Sequence, residues 1–188
     1  YTENHVTIAS FPGMKERTVL INGFSKSYAM TGWRIGYTAG PTEVIKAMSS
    51  LQSQVASGSN SIAQYAAEEA LRSPKGPEEI ERMHKAYDER RRHIVSRLNA
   101  IDGLKCVMPK GAFYVMVDMS ALIGKHLGDR KIAGSMDFAD MLLENANVAL
   151  TPGTAFCAEG YCRISYATSM EQIDKGVDRI EHFVNSLV

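Results

Sequence analysis

Gly23-Phe24-Ser25-Lys26-Ser27-Tyr28-Ala29-Met30-Thr31-Gly32-Trp33-Arg34-Ile35-Gly36 is the stretch on which the reading of this chain turns. Just before it, Thr18-Val19-Leu20-Ile21 is a short apolar, partly β-branched run that reads as a buried strand ending at Asn22-Gly23. A single lysine, Lys26, then sits in a loop between two serines, Ser25 and Ser27. Arg34, eight residues further on, opens a second candidate strand over 34–38. On composition alone Lys26 is a surface lysine of a hairpin loop. The types and spacing also suit a phosphorylated aldehyde, which needs one amine of lowered pKa in a partly desolvated pocket. A guanidinium and a neighbouring hydroxyl are the donors such a phosphate takes. Gly32 and Gly36 let backbone approach closely at the loop ends.

Downstream, Pro41-Thr42 opens a helix with Val44, Ile45, Met48, Leu51 and Val55 at helical spacing. Gly58-Ser59-Asn60 breaks it, and a small-residue helix follows through Ile62, Ala66 and Ala70. Pro74-Lys75-Gly76-Pro77 is the strongest breaker and the expected boundary between a first part, 1–75, and a second, 76–188. A long charged helix comes next, with one apolar stripe of Ile80, Met83, Tyr87, Ile94, Leu98 and Ile101. Its Arg90-Arg91-Arg92 run shares the helix with five acids, so it reads as a solvated face rather than a phosphate patch.

The remainder reads β–β–α–β–β–α. Strands are expected over 104–107 and 112–117, flanking Pro109-Lys110-Gly111, and over 148–150 and 162–166, around a Pro/Gly loop. Ser135 is placed as the cap of the intervening helix. Ser169-Met170-Glu171-Gln172 is a capping-box pattern before a last helix burying Ile173, Val177, Ile180, Val184 and Leu187.

The whole composition narrows the function further. The 188 residues are 45% hydrophobic and 22% charged, enough for a real core. Lys plus Arg and Asp plus Glu are 21 each, so the formal charge is 21 − 21 = 0. That balance disfavours a nucleic-acid or membrane-surface binder. No apolar run approaches a membrane span, and no secretory leader opens the chain. Cys106, Cys157 and Cys162 are an odd set that fits reduced thiols in a cytoplasmic setting. No histidine adjoins them, so no metal site is expected. A first residue that is Tyr1 rather than Met points to an excised piece.

The fourteen residues from Gly23 to Gly36 closely resemble the cofactor-attachment signature of class I/II aminotransferases, which use pyridoxal 5'-phosphate. Pro109-Lys110-Gly111-Ala112-Phe113-Tyr114, Thr151-Pro152-Gly153-Thr154-Ala155-Phe156 and Cys162-Arg163-Ile164-Ser165-Tyr166-Ala167-Thr168 resemble three later family stretches, in order. The likeness is closest to the bacterial aspartate/aromatic branch. It implies an α/β fold: the end of the large cofactor-binding domain, then the small C-terminal α/β domain of a fold-type-I aminotransferase. It further implies Lys26 as the Schiff-base lysine and proton carrier, Arg34 and Ser25 on the phosphate, and Arg163 as the clamp on the substrate α-carboxylate. Gly23 stands where the family often has a second phosphate-binding serine.

The implied reaction moves an amino group between an amino acid, aspartate or an aromatic one, and a 2-oxo acid, in a cytoplasmic homodimer. The family's acidic partner of the pyridine nitrogen, its ring-oxygen tyrosine and its glycine-rich phosphate turn all precede Tyr1, so the chain alone is expected to be inactive. Two alternatives stay open. A lyase or decarboxylase of the same fold breaks a different bond to Cα, and a transcription regulator uses an aminotransferase-like domain as its sensor.

Overall fold

The computed structural model describes Tyr1 and residues 5–188. They form two compact units, one ending at Met83 and the other holding Tyr1 with His84–Val188.

In the first unit, strands β1 (Leu20–Gly23) and β2 (Gly36–Ala39) pair antiparallel, with Leu20 opposite Ala39 and Gly23 opposite Gly36. Gly36 is required by that close approach, since a Cβ there would sit 2.8 Å from the Asn22 carbonyl oxygen. Between the strands lies a one-turn helix, α1 (Phe24–Ser27). Helices α2 (Thr42–Ala56) and α3 (Ser61–Arg72) follow. Pro41 sits at the N-cap of α2, and the Asn60 side chain caps α3 by accepting from the Ala63 amide at 3.1 Å. The unit's small core is Phe24, Met30, Ile35, Ala63 and Ala67.

One expectation fails in this unit. Strand β1 is not buried: Leu20 is half-buried and Ile21 is 75% exposed. A two-stranded ladder leaves both faces of the pair open, and no described residue of this unit covers Ile21. The apolar face of α2 is likewise uncovered, with Val44, Met48, Leu51 and Val55 all exposed. Helix α3 turns Ala63 and Ala67 inward, while Ile62 is exposed.

Helix α4 (Gly76–Asn99) carries Pro77 in its first turn, where a missing N–H costs nothing. In the second unit it packs Ile94, Val95 and Leu98 into the main core. The sheet there runs in the order β3 (Lys105–Cys106), β4 (Tyr114–Asp118), β8 (Tyr161–Ser165), β7 (Thr151–Pro152), with all neighbours antiparallel. A short hairpin, β5 (His126–Leu127) and β6 (Arg130–Lys131), precedes α5 (Ser135–Ala146). Helix α6 (Met170–Asn185) buries four of the five expected apolar residues together with Phe183, the fifth, Leu187, being buried just past its end, and is capped by Ser169, whose hydroxyl accepts from the Gln172 amide. Val115, Val117 and Cys162 face the core from β4 and β8.

Three details of this unit depart from expectation. Arg91 is buried rather than solvated: its guanidinium pairs with Asp88 at 2.5 Å and donates to the Pro109 carbonyl at 2.6 Å, which satisfies the charge. Ser135 is the first residue of α5 instead of its cap, which is Gly134. The 148–150 strand forms instead at Thr151–Pro152, where the backbone finds β8 as its partner.

Candidate active site

Lys26 stands on α1, next to Ser25 and two residues beyond the most deeply anchored side chain of its unit's core, Phe24. Phe24 fixes this turn from several sides. Its amide donates to the Ile35 carbonyl, and its own carbonyl accepts from the amides of Tyr28 and Met30, at 3.2–3.3 Å. Its ring lies 5.2 Å from that of Tyr28 and 5.7 Å from that of Tyr37. Lys26 is thus carried outward on a rigid base, with its side chain exposed among the described residues rather than sunk in a pocket.

Two non-glycine residues adopt left-handed backbone beside it, Ala29 (φ 53°) and Arg34 (φ 52°). Such positions are uncommon and cluster where a fold holds a functional segment. Arg34 therefore does not open the strand. It ends a 3₁₀ turn at Thr31–Trp33, donates to the Thr31 carbonyl at 3.1 Å, and leaves β2 to begin at Gly36.

The donor set around this turn is an amine, a hydroxyl and a guanidinium. Together these fit an aldehyde that must be bonded and a phosphate that must be held. Ser25 is half-buried and Arg34 exposed. Gly23 adds no hydroxyl, and its amide is taken by the Asn22 side chain at 2.8 Å.

Arg163 belongs to the other unit. It lies on β8 between Met116 of β4 and Thr151 of β7, half-buried, on the sheet face shared by Tyr114 and Met116. Its guanidinium carbon is 4.2 Å from the centroid of the Tyr114 ring and 4.3 Å from that of Phe156. Tyr114 is its diagonal cross-strand neighbour, a spacing that aromatic and long side chains bridge. Phe156 arrives on the 3₁₀ turn Gly153–Phe156 that directly follows β7. Gly153 is obligatory there, because a Cβ would meet the Ala158 carbonyl oxygen at 1.9 Å. Aromatic faces attract the cation without consuming its in-plane N–H donors, which stay available for a planar carboxylate.

Sequence reasoning named Arg163 but missed both rings. Their signals were present: Tyr114 is two residues from the position opposite Arg163, and Phe156 ends a Pro-Gly loop beside it. Among the described residues no cluster of His, Cys, Asp or Glu is arranged to hold a metal ion, and no helix is long and apolar enough to cross a membrane.

The family described as aminotransferase class I and II matches residues 3–180. The aspartate aminotransferase of Pinus pinaster is 46% identical, over 94% of this chain and 36% of that protein. The Geobacillus stearothermophilus aspartate aminotransferase is 44% identical, over 97% of this chain and 45% of that protein. Among solved structures, aspartate aminotransferase from Rhizobium meliloti covers all of this chain at 43% identity with a TM-score of 0.93, the match taking in 47% of that chain. An aromatic aminotransferase from Pyrococcus horikoshii OT3 gives a TM-score of 0.87 at 40% identity, over 98% of this chain and 47% of that one. The chain thus spans less than half the length of these relatives. Its fold is that of the fold-type-I aminotransferases, and the chain belongs to the class I and II aminotransferase family.

Proposed function

We propose that this chain supplies the covalent lysine, part of the phosphate grip and the carboxylate clamp of an aspartate- or aromatic-type aminotransferase. The observation that carries the reading is Lys26 projecting from a turn pinned by Phe24, with Ser25 beside it and Arg34 ending the same segment. Class I/II aminotransferases depend on pyridoxal phosphate, which when bound supplies an aldehyde and a ring that withdraws electrons from the substrate Cα.

In this reading Lys26 would hold the cofactor through its amine and would move the proton at the substrate Cα. Ser25 would donate a neutral hydrogen bond to the phosphate and Arg34 would offset its charge. Arg163 takes the α-carboxylate in a bidentate grip, with Tyr114 and Phe156 holding its plane. One amino acid gives up its amino group and becomes a 2-oxo acid, a second 2-oxo acid gains that group and gives up its keto oxygen, and the exchange balances without an outside oxidant. In the proposal the 1–75 part ends the large domain and the 76–188 part forms the small one, and the working enzyme is a cytoplasmic homodimer.

The test is amino transfer from aspartate to 2-oxoglutarate. The 188-residue chain alone is expected to show none. The same chain joined to the part of the Rhizobium meliloti enzyme that it does not cover is expected to show transfer, abolished by Lys26→Ala. Aspartate consumed with release of CO₂ or ammonia, and no new amino acid formed, would favour the lyase or decarboxylase reading instead.

A further inference from the structure

Phe156 is held over Arg163 by a connection that starts on another element. Ser135, fully buried at the start of α5, donates its amide to Glu159 Oε1 at 2.6 Å and its hydroxyl to Glu159 Oε2 at 3.3 Å. The same hydroxyl oxygen accepts from the Thr154 amide at 3.3 Å. Glu159 Oε1 also accepts from the Gly160 amide at 3.1 Å. The Glu159 carboxylate thereby ties the far end of the 153–160 loop to Ser135, whose hydroxyl in turn holds the Thr154 end, so Ser135 is shared by both attachments. Within that loop the Ala158 amide donates to the Gly153 carbonyl at 2.9 Å and the Cys157 amide to the Thr154 carbonyl at 3.2 Å, so it turns as a unit. Phe156 is two residues from Thr154 and three from Glu159.

We propose that Glu159 is a positioning residue for Arg163: by fastening the 153–160 loop to Ser135, it keeps the Phe156 ring against the guanidinium and so fixes the plane in which Arg163 meets a carboxylate. The proposal rests on the reading of Arg163 as a carboxylate clamp. Tyr114, on the regular strand β4, holds one side of the guanidinium without help. The Phe156 side depends on an irregular turn, and an irregular turn keeps one geometry only when its backbone groups are tied. A loosened loop leaves Arg163 with one ring and a wider range of rotamers, and bidentate recognition is lost first because it demands a fixed plane.

The experiment is proton–nitrogen NMR of the 188-residue chain, following the Arg163 side-chain Hδ and Hε signals, assigned by their disappearance in Arg163→Lys. Two nearby rings displace these signals from those of an ordinary arginine. Because the two ring distances are nearly equal, Phe156→Leu is expected to remove about half of the displacement. Glu159→Ala is expected to reproduce most of the Phe156→Leu loss, while Glu159→Gln, which retains an acceptor oxygen, keeps most of the wild-type displacement. Glu159 is exposed and outside the core, and unchanged Val115 and Val117 methyl signals serve as the folding control.

An Arg163 displacement unaltered by Glu159→Ala overturns the proposal. A succinate titration separates it from the underlying reading. Succinate should move the wild-type Arg163 Hε signal, and should do so at several-fold higher concentration in Glu159→Ala. A wild-type signal that ignores succinate while keeping its displacement removes the carboxylate role of Arg163, and with it the role of Glu159.

Discussion

Arg163 and Arg91 show what one side chain needs in order to leave water while keeping its charge. Arg91 finds a carboxylate and a carbonyl; Arg163 finds two aromatic faces. For Arg163 a lysine is a poor replacement, since an ammonium cannot fork onto a carboxylate as a planar guanidinium does. In the joined enzyme, Arg163→Lys is expected to raise KM for both the amino acid and the 2-oxo acid by about 10–100-fold, the size of a lost charged hydrogen-bond pair, with little change in melting temperature. Steady-state kinetics beside a thermal melt check it.

The thiols divide just as sharply. Burial pushes Cys106 up to about 11, and burial together with the Glu159 charge pushes Cys162 up to about 12, whereas Cys157 is exposed. At pH 8 a thiol reagent should therefore modify Cys157 alone on the fast timescale, at least about tenfold ahead of the others, as read by peptide mass spectrometry. Lys26, Ser25, Arg34 and Arg163 are singled out because the stretches that hold them resemble those of class I/II aminotransferases; residue type and spacing alone leave Lys26 and Arg163 as surface side chains. The burial of Arg91 was not legible, because it depends on a carbonyl eighteen residues away in the chain.

Elements with a strong period were legible, and those shaped by distant partners were not. Helix α6 follows its apolar spacing and its Ser169 cap because both signals are local. The β5–β6 hairpin went unread, since two-residue strands of polar character around Gly128 give no alternation. Strand β7 shifted because pairing with β8 overrides a local apolar run. Helix α2 formed where its period placed it, but its apolar face stays uncovered.

That contrast fixes two outcomes. Leu98→Ala removes a fully buried side chain of α4 and is expected to cost about 2–5 kcal/mol, measured by denaturant unfolding. Leu51→Lys alters a side chain 66% exposed on α2 and is expected to change stability by no more than about 0.5 kcal/mol while reducing self-association in light scattering.

At the largest scale, the unit of His84–Val188 leans on carboxylates held in their charged form. Asp174 is kept below its ordinary range by a hydrogen bond from His93, against the opposing effect of burial, with Arg97 adding to it. Hydrogen bonds from Ser120 lower Asp118, and the amides of Ser135 and Gly160 lower Glu159. At Asp88, burial works upward but the hydrogen bonds from Arg92 and Arg91 outweigh it. A depressed carboxylate adds stability above its unfolded pKa and loses it as pH falls through the lower folded value. Melting temperature should thus hold level down to the ordinary carboxylate range, near pH 4, and fall steeply below it. Asp174→Asn should blunt that fall, as it removes one of the depressed carboxylates at every pH while the Arg97–Asp178 pair still links α4 to α6.

The most direct check of the central claim is to trap the cofactor. The chain joined to the uncovered part of the Rhizobium meliloti enzyme is given pyridoxal phosphate, reduced with borohydride and digested with trypsin. The account expects one label per chain, on Lys26, in the peptide 18–34 left uncut at the modified lysine. A stoichiometric label on any other lysine, with Lys26 unmodified, would contradict it.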